Sequence, residues 1–130
     1  MLQNRILLQR SVHNVRKNVL YIGEVGNVNI CSNRFIHSGH LYKYGITNNI
    51  YRRVMYAHKK RFERFDLLAM YETDHHRYVE RVLTRELRGM SIHVTMPFSN
   101  VTCRELFYLK DESELSLVEQ IVLDTIRSIA

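Results

Sequence analysis

The chain has no tryptophan, one proline (Pro97), two cysteines (Cys31 and Cys103) and five scattered glycines among its 130 residues. Two cysteines are too few for a disulfide scaffold or a set of zinc fingers. A reduced, intracellular chain, in cytoplasm or nucleus, is therefore expected. With a single proline and no glycine- or serine-rich stretch, the sequence holds no linker, low-complexity tract or repeat. No apolar run approaches the ~18 residues of a membrane span, so a transmembrane helix is excluded and no membrane partner is expected. What remains has room for one domain, which can bury about two-thirds of its unfolded surface without metal or disulfide staples. The apolar fraction of 45% and the charged fraction of 25% are those of a globular protein.

Acids are also scarce. Lysine and arginine number 19 against 13 aspartates and glutamates, a net charge of +6 before any of the seven histidines is counted. That sign favours a polyanionic partner, nucleic acid first. The distribution sharpens the point. Residues 1–17 carry Arg5, Arg10, Arg16 and Lys17 with no acid, and residues 51–65 carry six cations against Glu63. The acids gather late, at Asp111, Glu112, Glu114, Glu119 and Asp124, which suggests one basic face and one acidic end. Residues 1–17 read as a basic N-terminal helix or arm; an acid-free, arginine-bearing start also resembles a mitochondrial presequence. Residues 18–130 form a single domain.

Local patterning predicts the order β-β-α-β-α-β-α. Val19–Val25 is a β-branched and aromatic strand ending at Gly26, and Leu41–Ile46 is a second. Residues 27–40, spotted with glycine, serine and asparagine, read as a loop or loose hairpin between them. Thr47 or Asn48 can cap a helix over 50–62, with Ile50, Val54, Ala57 and the stem of Arg61 on one side. Asp66–Glu72 is a third strand. Thr73 and Asp74 can cap a helix that Gly89 stops, with Tyr78, Val79, Val82 and Leu83 as its buried stripe. Arg104–Leu109 is a fourth strand, and Asp111–Glu114 is a capping box opening a last amphipathic helix. The expected fold is a small α/β (α+β) sandwich: a mixed or antiparallel sheet of three to four strands flanked by helices.

The segment Leu41-Tyr-Lys-Tyr-Gly-Ile-Thr-Asn-Asn-Ile-Tyr-Arg-Arg53 resembles the second motif of the GIY-YIG nucleases, in the branch common in phage and large DNA viruses. In that branch Tyr-Lys-x-Gly-x-Thr is followed by a cap and a helix carrying Arg-Arg. Three further features fall in the same order: Tyr21 in a preceding strand, Glu80 with Leu83 in a helix after the third strand, and Glu105-Leu-Phe-Tyr-Leu109 in a late strand. The literal letters Tyr21-Ile22-Gly23 belong to the first strand; the counterpart of the second motif is Lys43-Tyr44-Gly45.

The resemblance implies a divalent-metal-dependent DNA endonuclease that hydrolyses phosphodiester bonds with one Mg²⁺ or Mn²⁺ ion and no small-molecule cofactor. It implies Glu80 as the metal ligand, a hard carboxylate suited to such an ion. It implies Arg53 as the grip on the scissile phosphate. Helical phase independently sets Arg53 beside the apolar stripe and Arg52 outward. Tyr21 would aim its hydroxyl at water or phosphate, and Lys43 would stabilise phosphate charge or act on a neighbouring tyrosine. Gly45 would let the backbone approach substrate. His58 would serve as an acid or base, yet it stands one residue later than the pattern, a rotation of about 100° on an α-helix. Lys59, Lys60 and Arg61 would hold the DNA backbone, while Glu105 reads as a structural acid. The alternative is a catalytically inactive nucleic-acid-binding protein of the same fold.

Overall fold

A computed structural model describes residues 5–13, 15–26, 39–62, 64–98 and 100–129; nearly all of the expected 27–40 loop lies outside them. The strands are β1 (Val19–Gly26), β2 (His40–Thr47), β3 (Arg64–Glu72), β4 (His93–Phe98) and β5 (Val101–Leu109). They form a five-stranded sheet in the order β3-β1-β2-β5-β4 with every neighbour antiparallel. The fold class is the expected α+β sandwich with one strand more. That strand is β4, whose Pro97 has no N–H to donate and is tolerated because the strand lies at an edge.

Both faces of the sheet are covered, which is why β1 and β2 read as near-continuous apolar runs. On one face Val19, Tyr21, Val25, Leu41 and Leu106 pack against Ile50, Val54, Phe62 and Phe65. On the other, Leu20, Ile22, Tyr42, Tyr44 and Phe107 pack against α4 (His76–Gly89) and α5 (Leu115–Ser128). The α4 stripe is Val79, Leu83 and Leu87, at a spacing of four. Tyr78, expected inside, is exposed, with the Arg81 guanidinium 5.9 Å from its ring centre. The predicted capping box at Asp111 is present and opens the 3₁₀ turn Glu112–Glu114 that leads into α5.

Helix ends differ from the sequence reading in small, physical ways. Asn49, not Thr47 or Asn48, caps the helix after β2, accepting from the Arg52 N–H at 3.0 Å. Thr47 steadies that cap instead, its hydroxyl accepting from the Asn49 N–H at 3.1 Å. Thr73 accepts from the His75 N–H, so its turn precedes α4 rather than capping it. Gly89 remains helical, and the chain leaves α4 at Ser91, whose φ of 60° is left-handed.

The helical rod after β2 is the main departure from ideal geometry. It runs as α2 (Ile50–Arg53), one π turn (Val54–His58) and α3 (Lys59–Arg61), with the Lys59 N–H bonded five residues back to the Val54 carbonyl. Its buried residues are Ile50, Val54, His58 and Phe62, each four apart. On a regular helix that spacing drifts about 40° per step; the wide turn absorbs the drift. Ala57 and Arg61, expected inward, are only half-buried because of it.

The basic N-terminal segment contributes just one helical turn, α1 (Arg10–His13). Ahead of it the segment lies along the edge of β3: the Ile6 N–H donates to the Leu67 carbonyl at 2.6 Å, and Arg5 pairs with Asp66 at 3.1 Å. Ile6 and Leu8 pack on the first core face, so the arm covers an edge that would otherwise be open. No helix among the described residues is long and apolar enough to cross a membrane.

Leu83 is wholly buried in the contact that seats α4 on the sheet. Leu83→Ala is expected to lower unfolding free energy by about 2–5 kcal/mol in urea titrations, the range for a truncated core leucine.

Candidate active site

The site is built where two strands part. β2 pairs with β5 only from His40 opposite Leu109 to Lys43 opposite Leu106. Beyond Lys43, β2 continues along β1 alone, while β5 continues along β4. The Lys43 side chain is 7% exposed at this parting, and its amine donates to the Tyr44 carbonyl at 2.9 Å and to Glu105 Oε1 at 3.1 Å. That leaves one of three ammonium hydrogens free of these two partners.

Tyr21 projects from β1 onto the same face, directly over Gly45 of β2. A Cβ at position 45 would stand 2.6 Å from the phenol oxygen, so glycine is required for the ring to lie there. Gly45 was expected to open the backbone to substrate; the space above it is filled by Tyr21 instead. The phenol oxygen meets His58 Nε2 at 2.5 Å, and the imidazole stacks on Phe65 with ring centres 4.8 Å apart. Its one-residue displacement is thus cancelled by the π turn, which returns it to the sheet side of the rod.

Burial sets the protonation of this pair. The Tyr21 phenol is pushed well above the usual tyrosine range by burial, against the lowering effect of the Arg53 charge and hydrogen bond; Glu80 and Glu105 push it further up. His58 is pushed down to about 3, first by burial and then by Lys43, Arg53 and Arg61. The imidazole is therefore neutral near pH 7, and with its proton on Nδ1 it accepts the phenol's hydrogen at Nε2. Arg53 is exposed at the end of α2, and its charge acts on both Tyr21 and His58.

Glu80 arrives from α4 on the other side of the sheet. Tyr44 fixes that helix, its hydroxyl lying 2.6 Å from Thr84 Oγ1, one turn beyond Glu80. Burial and the neighbouring Glu105 raise the Glu80 pKa, while Lys43, Arg53 and Arg77 pull it down. Burial also drives the Tyr44 phenol to about 12, with Glu80 and Glu105 adding to the shift. Arg53 thereby acts on Tyr21, His58 and Glu80, and Lys43 acts on His58 and Glu80. Lys59 and Lys60 are exposed at the end of the rod and outside this cluster, whereas Arg61 is half-buried and acts on His58.

Two members were not assigned to the site from sequence. Glu105 holds Lys43 and faces Glu80, and Tyr44 ties Glu80's helix to β2. An acid in the late strand was visible, but its place beside Lys43, next to the paired Leu106, depends on a register between strands 62 residues apart. Among the described residues no three histidine, cysteine or acidic side chains form a metal-holding group. The donor set is the carboxylate of Glu80, with Glu105 as its neighbour. That suits a hard cation which keeps most of its waters, such as Mg²⁺, and not zinc.

The T5orf172 domain family is matched over residues 26–129, from the end of β1 through α5. The chain belongs to this family. The T5orf172 domain occurs in phage and nuclease-like proteins, and here it takes in Lys43, Arg53, His58, Glu80 and Glu105, while Tyr21 lies ahead of the matched span. No characterised protein and no solved structure matches the chain significantly.

Gly45→Ala is expected to drive the Tyr21 ring off His58 and cost about 1–3 kcal/mol, the range for overpacking. Thermal unfolding would measure it, and the loss should be smaller in a Tyr21→Phe background, where the nearest clashing atom is gone. The His58 shift gives a sign for pH. The unfolded chain takes up a proton near pH 6.5 that the folded chain refuses until about pH 3. Stability from this group is thus full above pH 6.5 and falls as the pH drops, by up to about 1.4 kcal/mol per unit. Urea unfolding at stepped pH should show that slope in the wild type and a shallower one in His58→Phe.

Proposed function

We propose that the protein is a divalent-metal-dependent DNA endonuclease of the GIY-YIG type, hydrolysing phosphodiester bonds. The observation that carries this reading is the Tyr21–His58 pair, which shares its corner of the sheet with Lys43, Arg53 and Glu80. The resemblance of Leu41–Arg53 to the second GIY-YIG motif supports it, as do the net charge of +6 and membership of the T5orf172 family.

The chemistry follows from the protonation states. A phenol held this high is no base by itself. It can, however, accept a proton from an attacking water while passing its own to His58 Nε2. The water's O–H bond then breaks as its oxygen bonds to phosphorus, and the phosphodiester P–O bond to the leaving oxygen breaks, that oxygen taking its proton from solvent. His58 refuses the proton in the free protein partly because Lys43, Arg53 and Arg61 face it. A bound phosphate brings negative charge against those cations and raises the imidazole's affinity for a proton when it is needed. Arg53 grips two phosphate oxygens, and the free hydrogen of Lys43 meets charge developing in the transition state. Glu80 would hold a magnesium or manganese ion, which would supply Lewis-acid charge to the phosphate.

Nicking of supercoiled plasmid in Mg²⁺ and Mn²⁺ tests the reading. Wild type is expected to nick, and Glu80→Ala to fall by about a hundredfold or more, as when one charge-stabilising group is lost. EDTA should abolish cleavage while plasmid binding persists. Equal cleavage by wild type and Glu80→Ala would overturn the assignment of Glu80. Binding without cleavage by the wild type would make the chain a catalytically inactive DNA-binding protein of this fold.

A further inference from the structure

On the side of the rod away from His58 lies a second concave feature. It is a cavity of about 530 Å³ lined by Arg10, Arg16, Asn49, Tyr51, Arg52 and Tyr56. Its walls come from two parts of the chain far apart in sequence, the N-terminal segment and the outer face of α2 and the π turn. The two are held together by the Lys17 N–H donating to the Asn48 carbonyl at 3.0 Å. The lining holds three guanidinium groups and no acid. Among the described residues none of the three arginines forms an ion pair. Such a concentration of like charge is relieved by an anion with several oxygens. The lining also holds two tyrosines at right-angle geometry, with ring centres 6.3 Å apart and planes inclined at 70°. Tyr56 is 55% exposed, an aromatic surface that packing in the core does not explain.

We propose that this groove is a subsite for an unpaired nucleotide of a DNA strand, its base stacked on Tyr51 or Tyr56 and its phosphates held by Arg10, Arg16 and Arg52. The proposal rests on the endonuclease reading and deepens it by naming the substrate class, DNA with a single-stranded portion. Cations alone would serve a duplex, whose phosphates they neutralise and whose bases are already stacked on one another. An exposed ring, Tyr56, with the half-buried Tyr51 beside it in a basic hollow is of use to a base with a free π-face. Position adds to this. Arg52 and Arg53 are consecutive, and one guanidinium lines the groove while the charge of the other acts on Tyr21 and His58. A strand held in the groove thus passes directly into the active site.

A nucleobase with its phosphate is also the chemistry of a free nucleotide, so the test carries both sources. Fluorescence anisotropy in EDTA measures binding without turnover, using labelled oligothymidine, a duplex of mixed sequence, and thymidine monophosphate as competitor. Tyr51→Leu/Tyr56→Leu is expected to lower oligothymidine affinity about ten- to a hundredfold, with duplex affinity unchanged. Tyr51→Phe/Tyr56→Phe should keep the wild-type affinity, because the stacking face is retained. Arg10→Gln/Arg16→Gln should reduce the log–log salt slope by about 1.4, two phosphate contacts on a single strand. Oligothymidine affinity indifferent to the leucine pair would overturn the proposal, as would an equal loss on duplex. Competition by thymidine monophosphate as strong as by the oligonucleotide would replace the strand with a free nucleotide and overturn it too. If the wild type nicks plasmid while single-strand binding ignores the tyrosines, the groove fails and the endonuclease stands. If the wild type neither binds nor nicks DNA, both fall together.

Discussion

A phenol and an imidazole with almost no access to water must satisfy one another, and much of this fold follows from that requirement. Tyr21 is 0% exposed and His58 is 4% exposed, and each provides the other's hydrogen bond. A buried polar group without a partner is costly, so their approach has to be built into the backbone. Three features build it. Gly45 removes the side chain that would stand where the ring lies. The π turn brings position 58 to the sheet side of the rod. Phe65, from the neighbouring strand, gives the imidazole a flat surface to rest on.

Around that pair the charges are arranged in opposition and none is neutralised outright. Lys43 is buried yet donates to a carboxylate that is itself 44% exposed, so its charge stays partly available. Glu80 is destabilised as an anion by burial and by Glu105, while Lys43 and Arg53 draw it back. A wholly structural ion-pair network would close each charge on its partner. Here the two strands part beside Lys43, and the amine keeps one hydrogen beyond those given to Tyr44 and Glu105. Groups held in such opposition respond strongly to a new charge, which is the property a phosphate-handling site needs.

The sequence conveyed the elements better than their ends, and the site's members better than their partners. Strands β1, β2 and β3 announced themselves because both faces of the sheet are buried and their residues are β-branched or aromatic. β4 escaped because His93–Phe98 alternates irregularly and carries Pro97, which argues against a strand unless its edge position is known. Tyr78 looked apolar on a helical wheel, but the α4 stripe runs through Val79, Leu83 and Leu87 and leaves it outside. Arg53 and Glu80 were legible as candidates from the resemblance, whereas Glu105 needed the β2–β5 register, a tertiary fact. His58 is the most instructive case. Counting residues on an ideal helix rotated it away from the sheet, and only the backbone itself reveals the extra residue in one turn. A π turn has no composition signal as clear as a cap or a proline.

That extra residue also explains how one short rod serves two surfaces. Were α2 regular throughout, a buried stripe spaced by four would wind around the axis and mix its inward and outward residues. With the drift absorbed at Val54–His58, the inward line Ile50, Val54, His58 and Phe62 stays on the sheet. The outward line keeps Arg52 and Tyr56 together beside the N-terminal segment. The cations follow the same division: Lys59 and Lys60 extend the outer line at the rod's end, and Arg61 turns toward His58. The acids of the 3₁₀ turn, Glu112 and Glu114, stand instead at the start of α5, which packs on the opposite face of the sheet. The cations of the N-terminal segment and the rod make the field positive around the groove. A polyanion drawn in by that field meets the two surfaces together, because they are the two sides of one helix.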